Sequence, residues 1–151
     1  MDDFTALAAA RTALESRDWQ EAARLYTSVL EHGRSQAEAL HGLGVVALLG
    51  RRDAKTARSL FEAAVARAPN DANSLYRLGE IAETESDRDA ALERYRQVLA
   101  LAPNHAAARS RLGALAQPAH TPQAAAPDTP ETHAASGTMS FPRFSGQVRG
   151  C

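Results

Sequence analysis

A pattern of leucine, glycine and proline recurs along this chain at an interval of about 34 residues, and this interval constrains the fold more than any other feature. Gly44, Gly79 and Gly113 each follow a leucine, and they are spaced by 35 and 34 residues. Pro69 and Pro103 are also 34 residues apart. Periods of this length are typical of arrays in which small similar units bury their apolar faces against one another.

Two further positions share the interval: Ala57 and Phe61 of one copy correspond to Ala91 and Tyr95 of the next. A degenerate first copy lies upstream, with alanines in place of Leu-Gly and an arginine in place of proline: Ala9, Ala10, Ala22, Tyr26 and Arg34. The second copy holds one extra residue between its glycine and its alanine. We expect the Gly50-Arg51-Arg52 turn to absorb it, because loops tolerate single insertions cheaply.

The pattern of Leu-Gly, alanine, an aromatic residue and proline resembles the tetratricopeptide repeat over roughly residues 3–117. The match is fullest in the third copy, at Leu75, Leu78, Gly79, Ala82, Ala91, Tyr95 and Pro103. The resemblance implies an all-α fold, a right-handed α-solenoid of three helical hairpins plus a C-terminal capping helix, followed by a disordered tail. The predicted units are a solenoid over 1–117, with repeats at about 3–36, 37–71 and 72–105, a capping helix over 106–117, and a tail over 118–151.

Within this frame the hairpins are predicted at roughly 3–31, 36–67 and 71–101, and Pro69 and Pro103 are expected to end the second and third because proline cannot continue a helix. Gly44 and Gly79 are expected where two helices approach closely, with Phe61 and Tyr95 filling the wedge between hairpins. Two pairs have the spacing of a capping box, Asp18 with Glu21 and Ser35 with Glu38. Trp19 is expected to pack on the first hairpin.

Residues 118–151 hold five of the seven prolines and few large apolar side chains. Such a segment is predicted to stay disordered, because burial cannot offset its ordering entropy. The stretch Ser140–Phe144 pairs two aromatic residues with an arginine. It is open to three interpretations: plain unstructured chain, a short linear docking motif, or the start of a further domain.

Several classes of function are disfavoured by composition. The net charge of −1 predicts no nucleic-acid partner, and the absence of an apolar run of about 18 residues predicts no membrane span. The N-terminus lacks the features of a secretory signal, so the predicted location is the cytoplasm. The single cysteine, Cys151, excludes an internal disulfide, and the five histidines lack ligand spacing. We therefore expect no cofactor, no metal and no enzyme activity.

In tetratricopeptide proteins the first helices of the hairpins line a concave groove that binds peptides. Mapped by the repeat register, the arginines are candidates to grip acidic groups, Tyr76 to serve as an aromatic anchor, and Val45 and Leu48 to form an apolar floor. The alternatives are that Tyr76 and the arginines are simply solvated and that the two apolar residues pack within the solenoid. The candidate groove residues are Arg11, His41, Val45, Leu48, Asn73, Tyr76, Arg77 and Arg111.

Some family members grip the terminal carboxylates of chaperone tails with two lysines, two asparagines and one arginine. The corresponding positions here are Leu7, Arg11, Gly42, Asn73 and Arg77. Only Arg77 keeps the residue type, so we expect this clamp to be absent.

The leading functional prediction is an adaptor or scaffold that binds a peptide segment of another protein in this groove. The alternative is a regulatory or substrate-recruiting arm of a larger enzymatic protein, joined through 118–151. RNA binding is a third hypothesis, which the charge disfavours. Self-association into a homo-oligomer is compatible with each of them.

Overall fold

The computed structural model describes residues 2–118, which form an all-α solenoid of three hairpins and a seventh helix, with no strand among them. This confirms the predicted fold class. The tail prediction, including Ser140–Phe144 and Cys151, lies outside the described residues. The helices are α1 Asp3–Glu15, α2 Trp19–His32, α3 Gln36–Val45, α4 Ala54–Arg67, α5 Ala72–Thr84, α6 Arg88–Leu101 and α7 Ala106–Ala116.

The three turns inside the hairpins share one design. Each contains a residue in the left-handed region, at φ 60° for Arg17, 55° for Arg52 and 63° for Ser86. An aspartate follows and caps the second helix, accepting the backbone N–H three residues on at 3.0–3.1 Å. The repeated unit therefore includes the turn, with the sharp reversal and the helix start encoded by adjacent residues.

The two predicted capping boxes have different outcomes. Asp18 accepts the backbone N–H of Glu21 at 3.1 Å, as expected of an N-cap. Ser35 makes no side-chain capping bond, so that prediction is wrong. In both pairs the glutamate carboxylate is bound to an arginine, Glu21 to Arg24 and Glu38 to Arg11, so neither pair forms the reciprocal half of the box.

The extra residue of the second copy lies inside a helix, so its predicted place in the turn is wrong. Helix α3 continues into a five-residue π-helical turn, Val46–Gly50, whose wider ring holds one more residue per turn. The N–H of Arg51 donates to the carbonyl of Val46, five residues back, where its counterpart Glu85 reaches only four back, to Ile81. Widening the helix keeps the turn identical in all three hairpins.

Removal of Leu49, half-exposed within the π turn, is expected to be tolerated, because it restores the 34-residue spacing and an α-helical turn. We expect unchanged helicity by circular dichroism and a urea midpoint close to that of the intact chain. The matched control removes Thr84 from the end of α5, where no surplus residue exists. That deletion should lower the midpoint clearly, and equal loss in both would contradict the insertion model.

Glycines seat the aromatic side chains that join the hairpins. An added Cβ at Gly44 would lie 2.6 Å from the Phe61 ring, and one at Gly79 would lie 2.6 Å from the Tyr95 ring. Both rings are fully buried. Phe61 shares its hydrophobic cluster with Leu78 of the next hairpin, so the predicted wedge is present.

Trp19 connects the first two hairpins. It packs against the cluster of the first hairpin, as predicted, and a Cβ at Gly50 would lie 2.8 Å from its ring. The π turn therefore places a glycine where the indole needs room.

The last helix, α7, is held at both ends. Its start is capped by His105, whose Nδ1 accepts the N–H of Ala108 at 3.1 Å. At its end Arg88 donates to the carbonyls of Leu115 and Gln117, at 2.9 and 3.0 Å. Between these ends Ala108 is fully buried, so α7 covers the apolar face of the third hairpin. None of the described helices is long and apolar enough to cross a membrane.

Candidate functional site: two clefts on the first-helix face

Helices α1, α3 and α5, the first helices of the three hairpins, build one face of the solenoid, here called the first-helix face. A cleft of about 580 Å³ opens on it, called the Arg11–Asn73 cleft. Its walls combine charged, polar and apolar side chains from all three hairpins. The lining residues are Arg11, Leu14, Tyr26, Ala37, Glu38, His41, Ala68, Asp71 and Asn73.

One wall of this cleft is an ion pair between hairpins. Arg11 of α1 donates from Nε to Oε1 of Glu38 in α3 at 2.8 Å, and its Nη2 turns to the same oxygen. The Arg11 side chain is 60% exposed and that of Glu38 36%, so the pair is solvated. Such a pair adds little stability, but it occupies the guanidinium that the sequence assigned to an acidic partner.

A second part of the lining is a partly buried hydrogen-bond chain. Asp71 caps α5 by accepting the backbone N–H groups of Asn73 and Ser74, at 3.1 and 3.3 Å. Its other oxygen accepts the hydroxyl of Ser74, which is fully buried. The Ser74 oxygen in turn lies 2.8 Å from Nδ1 of His41. This chain fastens the second hairpin to the third.

The chain fixes the proton on His41. A serine hydroxyl has one proton, and that of Ser74 points to the Asp71 carboxylate, so the Ser74 oxygen accepts from His41. Nδ1 therefore carries the hydrogen, and Nε2 is left as an acceptor on a ring that lines the cleft. Because Ser74 is buried between the other two groups, it cannot serve as a nucleophile toward a bound molecule.

Burial lowers the pKa of His41 below its ordinary value of 6.5, with Arg77 lowering it further and Asp71 and Glu38 opposing the shift. Just below pH 6.5 the unfolded chain thus binds more protons than the folded one. We expect stability to be complete above this pH and to fall as the pH drops toward the lower folded value.

Urea unfolding of the native chain and of His41→Asn, measured from pH 7.5 to 5, checks this expectation. Asparagine supplies an N–H near the position of the imidazole Nδ1–H but does not titrate. The variant should therefore lose less stability over this range. If the free energy of unfolding falls equally with pH in both proteins, His41 is not the group that causes the loss of stability.

A second cleft, of about 360 Å³, lies farther along the first-helix face and is called the Leu48–Arg111 cleft. Two leucines of the π turn form one side, and Leu49 is 50% exposed there. On the other side Nη1 of Arg111 lies 3.4 Å from Oε2 of Glu83, whose Oε1 accepts the Tyr95 hydroxyl. The lining residues are Leu48, Leu49, Glu80, Glu83, Thr84 and Arg111.

Five of the eight predicted groove residues line the two clefts, and three do not. Arg11, His41 and Asn73 meet in the first cleft, while Leu48 and Arg111 line the second. The other three, Val45, Tyr76 and Arg77, line neither cleft.

Val45 is only 9% exposed and belongs to the hydrophobic core, which removes it from any surface floor. Tyr76 packs between the rings of Tyr95 and His105, with centroids 5.6 and 5.0 Å away. Arg77 is bound to Glu80 at 2.8 Å. Tyr76 is thus a packing residue in this state, and Arg77 is already paired.

Sequence reasoning missed the acidic side of the first cleft, formed by Glu38 and Asp71. A signal for Glu38 was present, since it lies one helical turn before His41 and so shares its face. Asp71 stood at the helix start, where a capping aspartate is ordinary. Ser74 gave no signal, because a serine in the first turn of a helix is common and most serines are exposed.

The structure also shows how two of the positions that correspond to the lysine–asparagine clamp are used. Leu7 is 6% exposed and belongs to the core. A Cβ at Gly42 would lie 2.4 Å from the Tyr26 ring, so an asparagine cannot be accommodated unless that ring moves. Two of the five clamp positions are therefore taken up by packing.

Models of the tetratricopeptide repeat match this sequence over residues 7–72 and 47–87, and a second model of the same description matches 74–107. Together these matches span residues 7–107, which include every lining residue of the two clefts except Arg111. The chain belongs to the tetratricopeptide-repeat family. No curated protein matches it significantly.

Several solved structures share the fold of this tetratricopeptide-repeat protein. A mutant O-GlcNAc transferase of Thermobaculum terrenum is 26% identical with a TM-score of 0.68, over 75% of this chain and 22% of the transferase. The first tetratricopeptide domain of Spaghetti (RPAP3), bound to an HSP90 peptide, is 18% identical with a TM-score of 0.67. The match covers 76% of this chain and 90% of the RPAP3 chain. The chain thus spans about a fifth of the transferase and most of the RPAP3 domain.

A third structure is that of PcrH in complex with the chaperone binding region of PopB; PcrH is from Pseudomonas aeruginosa. It is 19% identical with a TM-score of 0.64, over 75% of this chain and 93% of PcrH. At this level of identity the likeness shows the fold alone. Within residues 2–118 no group of three or more acidic, histidine or cysteine side chains is arranged to hold a metal ion.

Proposed function

We propose that this protein is an adaptor that holds a segment of another protein against its first-helix face. The observation that carries the proposal is the Arg11–Asn73 cleft, to which all three hairpins contribute side chains of mixed polarity. Pockets that combine an apolar lining with a few placed polar groups are typical of binding sites. Because the groups in this cleft bond to one another and none is a free nucleophile, recognition suits the geometry better than catalysis.

Two of the structural neighbours support a protein partner. The RPAP3 domain is bound to an HSP90 peptide, and PcrH to a region of PopB. Both neighbours therefore use this fold to bind a segment of another protein. A shared fold alone does not establish a shared function. The proposal for this chain therefore depends on the geometry of its own cleft.

The partner proposed for this protein differs from a chaperone tail that ends in a carboxylate. Leu7 and Gly42, at two of the clamp positions, are committed to packing, and Arg11 and Arg77 are committed to glutamates. Without free clamp positions, the cleft fits an internal segment that is recognised through its side chains better than a chain end that is recognised through its terminal carboxylate.

Affinity capture from the native cell extract tests the proposal with a cleft-filling variant. Ala37 lines the Arg11–Asn73 cleft, and Ala37→Trp should block it. The matched control is Ala66→Trp on exposed surface of α4. We expect Ala37→Trp to lose specific partners that Ala66→Trp keeps, both with unchanged helicity; identical captured sets would reject the cleft as the binding site.

A second candidate is a recruiting arm of a larger enzyme. It is favoured by the likeness to the Thermobaculum terrenum O-GlcNAc transferase, of which this chain matches 22%. A reading frame that continues past Cys151 into a catalytic domain would support it. A stop codon directly after Cys151 would reject it.

A further inference from the structure

The Arg11–Asn73 cleft carries an excess of negative charge. Its lining includes one permanent cation, Arg11, and two carboxylates, Glu38 and Asp71, which gives a formal charge of −1 with His41 neutral. Arg77, the cation of α5 that acts on His41, is already bound to Glu80 at 2.8 Å. The face predicted to attract acidic groups is therefore neutralised, and its cleft favours cations.

Hydrogen-bond capacity points the same way. Glu38 receives both Arg11 bonds on Oε1, and within residues 2–118 its Oε2 accepts none. The tautomer imposed by Ser74 leaves Nε2 of His41 as an acceptor. Donors remain as well, because Arg11 uses only Nε and Nη2 toward Glu38 and the Asn73 side-chain amide also lines the cleft. The two acceptors, Glu38 Oε2 and His41 Nε2, together with the net negative charge of the lining, match a donor-rich ligand group that carries positive charge.

The apolar part of the lining suits the stem of a long side chain. Leu14, Tyr26, Ala37 and Ala68 complete the walls between the polar groups. Lysine and arginine place methylene stems along apolar surface while their charged ends reach polar groups. An acidic side chain would bring a third carboxylate close to Glu38 and Asp71, and like charges at short range repel.

We propose that the Arg11–Asn73 cleft receives a lysine or arginine side chain from an extended segment of the partner protein, between Glu38, Asp71 and His41. This proposal rests on the adaptor function and adds the chemical class of the segment. A guanidinium or ammonium there donates to Glu38 Oε2 and His41 Nε2 while its stem lies on the apolar walls.

The test uses four pools of N-acetylated, C-amidated octapeptides with arginine, lysine, glutamine or glutamate fixed at one central position and alanine, leucine, serine and asparagine mixed elsewhere. Each pool is titrated into the full-length ¹⁵N-labelled chain, with the amide signals of α3 and α5, including the Asn73 side chain, as the readout. We expect the arginine and lysine pools to bind about tenfold more tightly than glutamine, in line with one charge-assisted hydrogen bond. The glutamate pool should bind most weakly, and added salt should reduce the difference in affinity between the basic pools and the others.

Two variants separate a charge effect from a folding effect. Glu38→Gln frees Arg11 and removes the net negative charge, so the preference for basic pools should fall about tenfold. Glu85→Gln breaks another exposed arginine–glutamate pair between neighbouring hairpins, that with Arg58. Neither residue lines a cleft on the first-helix face, so this variant should leave the preference unchanged. Equal effects of both variants would overturn the proposal.

The remaining outcomes distinguish the two levels of the proposal. If the glutamate pool shifts the cleft signals as strongly as the basic pools, the basic preference is wrong and the adaptor function stands. If no pool of any charge shifts them, the basic preference fails together with peptide binding in this cleft.

Discussion

Replacing Phe61 by alanine is expected to lower the free energy of unfolding by about 3–5 kcal/mol, the usual cost of deleting a buried aromatic ring. Phe61 is fully buried, touches the Gly44 position, and lies 5.4 Å from the His41 ring between centroids. Its loss opens a cavity between the second and third hairpins. Since the free energy of unfolding of such a domain is about 5–15 kcal/mol in total, this loss is a large fraction of its stability.

The matched control for Phe61 is Phe4→Ala. Phe4 is 79% exposed at the start of α1, so its truncation should change stability by less than about 0.5 kcal/mol. Urea denaturation of both variants, followed by circular dichroism, measures the difference. If the two midpoints fall together, Phe61 does not join the hairpins in the way described.

Alanine at Gly79 and at Gly113 should have opposite effects, although both glycines occupy the same repeat position. At Gly79 the new Cβ meets the buried Tyr95 ring at 2.6 Å, and overpacking of this kind costs about 1–3 kcal/mol. At Gly113 nothing lies within 4 Å, so the better helix propensity of alanine should add about 0.5–1 kcal/mol.

Thermal unfolding of the two glycine variants checks the sign directly. A fall for Gly79→Ala together with a rise for Gly113→Ala is the expected result. A rise in both would show that Tyr95 yields easily to a methyl group. If the melting temperature falls in both variants, α7 needs a glycine at position 113 for a reason other than packing.

Repeat periodicity made most of the fold predictable from sequence. The interval of about 34 residues, the small residues and the prolines predict seven helices, because each repeat must bury its face on the next. The one misplaced residue was the insertion. Sequence spacing locates an insertion only between Gly44 and Ala57, and the choice between a longer loop and a π turn depends on tertiary packing. Here the need to fit Gly50 against Trp19 accompanies the π turn.

The site was less predictable than the fold. The repeat register placed Arg11, His41 and Asn73 on one face, and they do meet at one cleft. It could not show that Glu38 reaches across hairpins to Arg11, because a pair separated by 27 residues depends on the angle between helices. For Val45 the register left an apolar floor and packing within the solenoid both open, and its burial decides for the core.

The measurement that tests the central claim most directly is site-specific photo-crosslinking in the native extract. A benzophenone amino acid replaces Asn73 on the exposed edge of the Arg11–Asn73 cleft or, as the control, Ala66 on α4. We expect the Asn73 position to crosslink a defined stretch of a partner protein, with a lysine or arginine nearby, and the Ala66 position to yield none of it. Crosslinks to the same partner only from Ala66, or equally from both positions, would contradict binding at the first-helix face.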